Sequence, residues 1–283
     1  MTIERLRAAY HAAIHHDIVR IMAKGNHTYL NFADGSNSGS VQIAWGIAEQ
    51  LNWVDFAEDR LAGQQTGARF EAATRDFVQQ AFEQLAQVRP GEWICATEST
   101  GIAAFDQYEH LARIKHALDQ NPDLKATLGG DYVVTPDVIV ARWPLPDDKL
   151  PLIDANTPLA QHTPLRAANS EPPRPILHAS ISCKWTIRSD RAQNIRTEAL
   201  NLIRNRKGRV PHIVVVTAEP LPTRLAAIAL GTGDLDCVYH IALPELEAAV
   251  RAAENADQLD MLNTLVHGRR LRDVSDLPFD LAI

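Results

Sequence analysis

Apolar residues recur every three to four positions through residues 2–24, where Ile3, Leu6, Tyr10, Ile14, Ile18 and Ile21 share one stripe, and this spacing predicts an amphipathic helix. A polar, glycine-containing loop follows at 31–40, and a second helix is expected from near Val41. The most regular helical period covers 66–88, with Phe70, Ala73, Phe77, Ala81 and Leu85 on the buried stripe and Glu71 beside it. A short strand is predicted at 92–97, a helix at 103–118, and a strand at 131–142 that begins or bends at Pro136-Asp137, where a proline is tolerated. Between 177 and 185 the period drops to two. Leu177, Ala179, Ile181, Cys183 and Trp185 alternate with Ser180, Ser182 and Lys184, so a strand with one apolar and one wet face is predicted. After Arg188 the helical period returns through Ile195, Ala199, Leu202 and Ile203, with Ser189 or Asp190 placed to cap the first turn. A fully apolar strand is expected at 212–217 and a helix over 244–267.

This order of elements predicts an α/β fold, a central mixed β-sheet of about four or five strands flanked by helices, in one domain spanning 1–283. The segment 143–175 stands apart. It holds eight of the sixteen prolines and few periodic apolar positions, which marks it as a functional or interface loop inserted in that domain.

Charge changes the picture more than composition does. The chain carries a formal net charge of -7, yet residues 184–209 alone carry +6, leaving -13 for the remainder. A basic segment on an acidic body suits a protein that grips a polyanion at one place; a solvated helix face is the plainer alternative. No apolar run reaches the length of a bilayer span and the N-terminus lacks the layout of a signal peptide, so a soluble, cytoplasmic protein without a membrane partner is expected. Three scattered cysteines suggest neither a disulfide framework nor a zinc site. His11 and His15 stand one helical turn apart, a spacing that can hold a metal, but no further ligand set accompanies them and they read as ordinary helix residues.

The chemistry concentrates on Asp137 at one strand, Lys184 at the end of another, and Glu198 on the helix that follows. Carboxylates beside a lysine are what metal-assisted hydrolysis of a phosphodiester needs: the acids hold a divalent cation and the lysine orients water or stabilises developing negative charge. An ordinary salt bridge at a sheet edge is the alternative reading of the same residues.

The spacing of Pro136-Asp137, Ser182-Cys183-Lys184 and Glu198 resembles the rearranged active site of the PD-(D/E)XK nucleases. In the common arrangement an acid lies two residues before the lysine; here that position is Ser182, as in the restriction endonucleases that cut CCGG-containing sites and take the acid from the next helix. Within that subgroup, residues 182–208 are similar to the NgoMIV-type enzymes. The resemblance implies the restriction-endonuclease-like fold and a Mg²⁺-dependent active site with two metal ions. Asp137, the backbone carbonyl of Cys183, and Glu198 would be metal ligands, with Lys184 the catalytic lysine, Ser182 at the centre with it, and Glu71 a further carboxylate. Arg188, Asp190 and Arg191 would read the CCGG core, and Asp34, Gln64 and Arg224 the outer G·C pair, with the adjacent Gln65 an alternative to Gln64. These residue types suit the task, since arginine bonds guanine O6 and N7 bidentately and an aspartate accepts from cytosine N4. The implied activity is a type II restriction endonuclease cutting double-stranded DNA at GCCGGC and leaving 5′ overhangs. A palindrome requires at least a dimer, and the resemblance implies a homotetramer bound to two sites; the length and composition of 143–175 mark that segment as a candidate assembly element. Three other readings stay open: a nuclease of the same fold with another CCGG-containing target, a DNA-binding protein without activity, and an unrelated α/β hydrolase.

Overall fold

The computed structural model describes residues 1–97, 101–128, 134–154, 159–231 and 233–283; the side chains of Leu128 and of residues 189–191 lie outside that description. Helix α1 (Ile3–Asp17) leads into a hairpin, β1 (Ile21–Lys24) and β2 (His27–Leu30), followed by α2 (Ser38–Gln50) and the long α3 (Gly63–Gln84). Next come β3 (Trp93–Ala96), α4 (Glu109–Asp119), α5 (Pro122–Leu128), β4 (Val138–Arg142) and β5 (Ile176–Lys184). The C-terminal part alternates α6 (Ser189–Asn205), β6 (His212–Thr217), α7 (Pro222–Ala229), β7 (Cys237–His240), α8 (Leu243–Ala252), α9 (Ala256–His267), β8 (Leu271–Asp273) and α10 (Leu277–Leu281).

Among the described residues the main sheet has six strands in the order β3-β4-β5-β6-β7-β8, antiparallel from β3 to β5 and parallel from β5 to β8. This is a mixed α/β architecture flanked by helices, consistent with the restriction-endonuclease-like fold. It exceeds the expected strand count because β7 and β8 are four and three residues long, too short for a period of two to show. The helix expected to run to residue 24 ends at Asp17, and Ile21 sits in β1 instead. The break follows the local turn chemistry: Gly25 adopts φ +60° between Lys24 and Asn26, which closes a tight hairpin that the apolar spacing alone does not reveal. The helix expected over 244–267 is two, broken where Glu254 takes φ 51°. The strand expected from 131 begins only at Val138, and 131–133 lie outside the described residues.

Two expectations for the central segment need correcting. Strand β5 has no wet face: Ser180 is 6% exposed and Ile181 0%, because the strand runs in the middle of the sheet with both sides covered. Its half-buried positions are at the ends, Ile176 at the start and Ser182 and Lys184 at the finish. The N-cap position of helix α6 is Arg188, in extended backbone with no side-chain capping bond, so Ser189 and Asp190 fall inside the first turn rather than at the cap.

The register of this sheet builds the site. Val138 pairs with Ile181 in antiparallel β4–β5, so Asp137, one step earlier, falls opposite Ser182. Lys184 pairs with Thr217 in parallel β5–β6, so the two strands end together. Helix α3 crosses β4 and β5, and its fully buried Phe70 packs its ring edge-on to Trp185 at 5.1 Å, next in sequence to Glu71 on one side and Lys184 on the other. Phe70→Ala would empty that contact. It should lower the unfolding free energy by roughly 3–5 kcal/mol in urea titration; a loss below about 1 kcal/mol would mean that the ring does not anchor α3 to the strand end.

Candidate active site

Three donors converge on a single oxygen of Asp137. Its Oδ2 accepts from Lys184 Nζ at 2.6 Å, from the Cys183 backbone N–H at 2.8 Å and from Ser182 Oγ at 3.4 Å. The antiparallel register explains all three, since it puts the carboxylate against the residues that close β5. The N–H and C=O of a strand residue face the same neighbour, so the Cys183 carbonyl is also directed to the Asp137 side. Asp137 and Lys184 each keep 21% of their side-chain surface. In front of them opens a cleft of about 890 Å³, whose walls include Glu71, Cys183, Lys184, Glu198, Arg188, Asp34 and Arg224. Asp137 and Ser182 stand behind that wall rather than in it.

The charges in this corner do not cancel. Burial works against the Lys184 ammonium, but the charge and hydrogen bond of Asp137, helped by Glu198, outweigh it and hold its pKa above the ordinary value. Burial raises the pKa of Glu71, and repulsion from Asp137 adds to it while Lys184 opposes. Glu198 is raised first by burial, against the pull of Lys184, with Asp137 adding repulsion. Three carboxylates thus face one ammonium, an excess of negative charge and hard oxygen donors that suits a divalent cation. Among the described residues no three His, Cys, Asp or Glu side chains converge closely enough to form a ready-made metal cage. Asp137, Glu198 and the Cys183 carbonyl, with Glu71 nearby, are the groups available to hold a divalent cation.

The candidate reading residues divide. Arg188 is exposed, enters the cleft and forms the N-terminus of α6. Asp190 and Arg191 lie, as side chains, outside the described residues. Asp34 and Arg224, remote in sequence, are joined: Arg224 Nη2 meets Asp34 Oδ2 at 2.5 Å, and Asp34 Oδ1 accepts from the Ser36 N–H at 2.9 Å. Those two partners lower the Asp34 pKa, the backbone bond first and Arg224 second. The first turn of α3 separates the two glutamines. Gln65 folds back to accept from the Ala62 N–H at 3.3 Å, while Gln64 is exposed and neither lines the cleft. The histidines of α1 have packing roles: His11 Nε2 bonds the Ile241 carbonyl oxygen at 2.7 Å and His15 stacks on Trp53.

Sequence reasoning missed Arg20, Lys24 and Arg60, which line the cleft, and an acid buried behind it. Glu219 lies 0% exposed just past the apolar strand β6, and its two oxygens accept from the backbone N–H groups of Ile187 at 2.9 Å and Leu221 at 3.2 Å. The one available signal was its place, an isolated acid between an apolar strand and Pro220.

The NgoMIV restriction enzyme family model matches residues 10–283. The type II restriction enzyme NgoMIV of Neisseria gonorrhoeae is 51% identical over 271 residues, covering 93% of this chain and 93% of that protein. The chain belongs to the NgoMIV restriction enzyme family. The matched span takes in both clusters just described, the carboxylate–lysine corner and the Asp34–Arg224 pair.

In this family member Glu219 offers a direct check of the buried geometry. Burial pushes its pKa from the ordinary 4.5 up to about 7, against the two backbone bonds and Arg224. Between those values the folded state holds a proton that the unfolded chain has released, so the stability owed to this group falls as pH rises through that window. Glu219→Gln lacks this dependence. Its stability relative to wild type should therefore shift in the variant's favour between about pH 5 and about pH 8, by on the order of 2–3 kcal/mol. Urea titrations at the two pH values read the shift, and a pH-independent difference would contradict the burial of the ionised acid.

Proposed function

We propose that this member of the restriction-enzyme family is a Mg²⁺-dependent type II endonuclease that hydrolyses double-stranded DNA at the palindrome GCCGGC and leaves 5′ overhangs. The observation that carries the reading is the bond of 2.6 Å between Lys184 and Asp137, with Glu71 and Glu198 facing the same cleft and Arg188 entering it at the start of α6. When bound, Mg²⁺, proposed as a pair per active site, would polarise the scissile phosphate and make its water more acidic. The chain's own groups do the rest. Asp137 and Glu198 supply carboxylate oxygens, Glu71 adds a third, and Ser182 and the Cys183 N–H hold Asp137 in orientation. Lys184 keeps its positive charge, as its raised pKa requires, and is placed to steer water or to meet charge building on phosphate oxygen. Arg188, with Asp190 and Arg191 after it, would read the CCGG core, and Asp34, Arg224 and Gln64 the outer pair. The engagement of Gln65 with the Ala62 N–H favours Gln64 for that contact.

Two-fold symmetric DNA calls for symmetric subunits, and we propose a homotetramer holding two sites. The 143–175 segment supports this. Its base is clasped by Arg166, which bonds both oxygens of Asp147 at 2.6 and 2.7 Å, while Leu152 and Leu159 are 97% and 71% exposed. Large apolar side chains held out on a fastened loop suit burial against another copy. We propose that residues 1–283 act as one endonuclease unit in the cytoplasm; no helix among the described residues is long and apolar enough to cross a membrane.

Incubating plasmid DNA with the protein and Mg²⁺, with a chelator control and sequencing of the ends, tests the activity and the target together. Cutting at sites that lack the outer G·C pair would refute the proposed specificity. Asp137→Ala and Lys184→Ala should still bind the target but cut it at least about a thousandfold more slowly, measured as single-turnover rates; near-normal cutting by either removes the proposed centre. For the assembly, the double variant Leu152→Asp, Leu159→Asp should sediment as a smaller species than wild type, and an unchanged oligomer counts against the loop.

A further inference from the structure

Arg188 reaches the cleft from the segment that follows β5, and Arg224 reaches it from α7, an element that begins thirty-four residues later at Pro222 as counted along the chain. A buried carboxyl joins the two approaches. Glu219 Oε2 accepts from Ile187 N–H, the peptide just before Arg188, at 2.9 Å. Its Oε1 accepts from Leu221 N–H, the N-cap residue of α7, at 3.2 Å, and lies 4.0 Å from Arg224 Nη1. Arg224 in turn holds Asp34 at 2.5 Å, and Asp34 organises its own loop through the N–H of Ser36 and the hydroxyl of Ser40. Glu219 is itself held from behind, its N–H donating to the buried Thr217 hydroxyl at 3.2 Å.

A carboxyl placed out of reach of water is unfavourable unless its acceptors are used. Here both oxygens are used as acceptors, toward two N–H groups on two different segments. Glutamine cannot reproduce that, because one of its two ends carries hydrogens, and no apolar residue offers an acceptor at all. Glu219 does not line the cleft, so contact with DNA does not account for it.

We infer that Glu219 is a positioning residue for target reading: it fixes Arg188 relative to Arg224 and Asp34, so that the inner and outer base pairs of the site are read in one register. This rests on the proposed roles of Arg188, Asp34 and Arg224. With the link intact, a correct outer pair seats Arg224 and Asp34 only when Arg188 is seated on the core. With it cut, the two groups adjust separately and a wrong outer pair is penalised less.

The test uses the full chain and two duplexes, one with GCCGGC and one in which only the outer pair is exchanged, giving ACCGGT. Each preparation is assayed on both, by cleavage rate in Mg²⁺ and by equilibrium binding in Ca²⁺, and the ratio between duplexes is taken. The ratio is independent of how much of a preparation is folded, and the binding ratio serves if a variant cuts neither duplex. Glu219→Gln keeps the volume and should reduce the preference for the GCCGGC duplex on the order of tenfold, the worth of one well-placed base contact; Glu219→Ala should reduce it at least as far. If both variants weaken on the two duplexes equally and keep the wild-type ratio, the residue is merely structural and the inference falls while the reading of the target stands. If wild type itself shows no preference for the outer pair, the proposed target falls, and this inference with it.

Discussion

The pairing register of β4 against β5 is the constraint from which the site follows. Shifting it by one residue would turn Asp137 away from Ser182, Cys183 and Lys184 and carry every side chain of the strand to the opposite face. The register resists that shift because both sides of β5 are buried, with Ala179, Ile181 and Cys183 on one and Ser180 on the other. The Asp137–Lys184 ion pair is therefore a product of core packing. It gains little stability as a partly exposed pair, but it sits where the buried strands stop and charge can first be tolerated.

From that corner the charge pattern extends outward. Glu71 comes from α3 and Glu198 from α6, two helices held to the sheet by apolar stripes, and each carries a carboxylate that burial and Asp137 make reluctant to ionise. The excess of acid over base is tolerable in the folded chain only because the cleft admits water and cations. Arg188 and Arg224 face the same cleft as Glu71 and Glu198, so one opening presents both carboxylate oxygens and guanidinium groups. Glu219 lies beneath the second group, and its two backbone bonds bind together strands and helices that local sequence leaves unrelated.

Much of this was legible in the chain. The apolar stripe through Phe70 and Phe77, the alternation through Ile181 and Cys183, and the apolar run at 212–217 each marked an element that is present, because periodicity reports which face is buried. Asp137, Lys184 and Glu198 stood out through their residue types and spacing, and the family that the spacing resembles is the family to which the chain belongs. Less legible were features set by very short or competing signals. The Gly25 hairpin cut short a helix whose apolar spacing continued past it, and β7 and β8 were too brief to show a period. The wet face assigned to β5 was an error of context, since alternation shows that two faces differ but not whether the second is covered.

The sequence by itself determined the sheet-and-helix composition, the basic segment at 184–209 and the three residues on which the proposed chemistry centres, because each is written in neighbouring residues or in recognisable spacing. Only the tertiary structure decided that Asp34 meets Arg224 across 190 positions, that Gln65 is occupied with its own helix end, and that Glu219 is buried and shared between two segments. Those contacts depend on how separate elements dock. Docking is settled by the packing of the whole core, which no local pattern encodes.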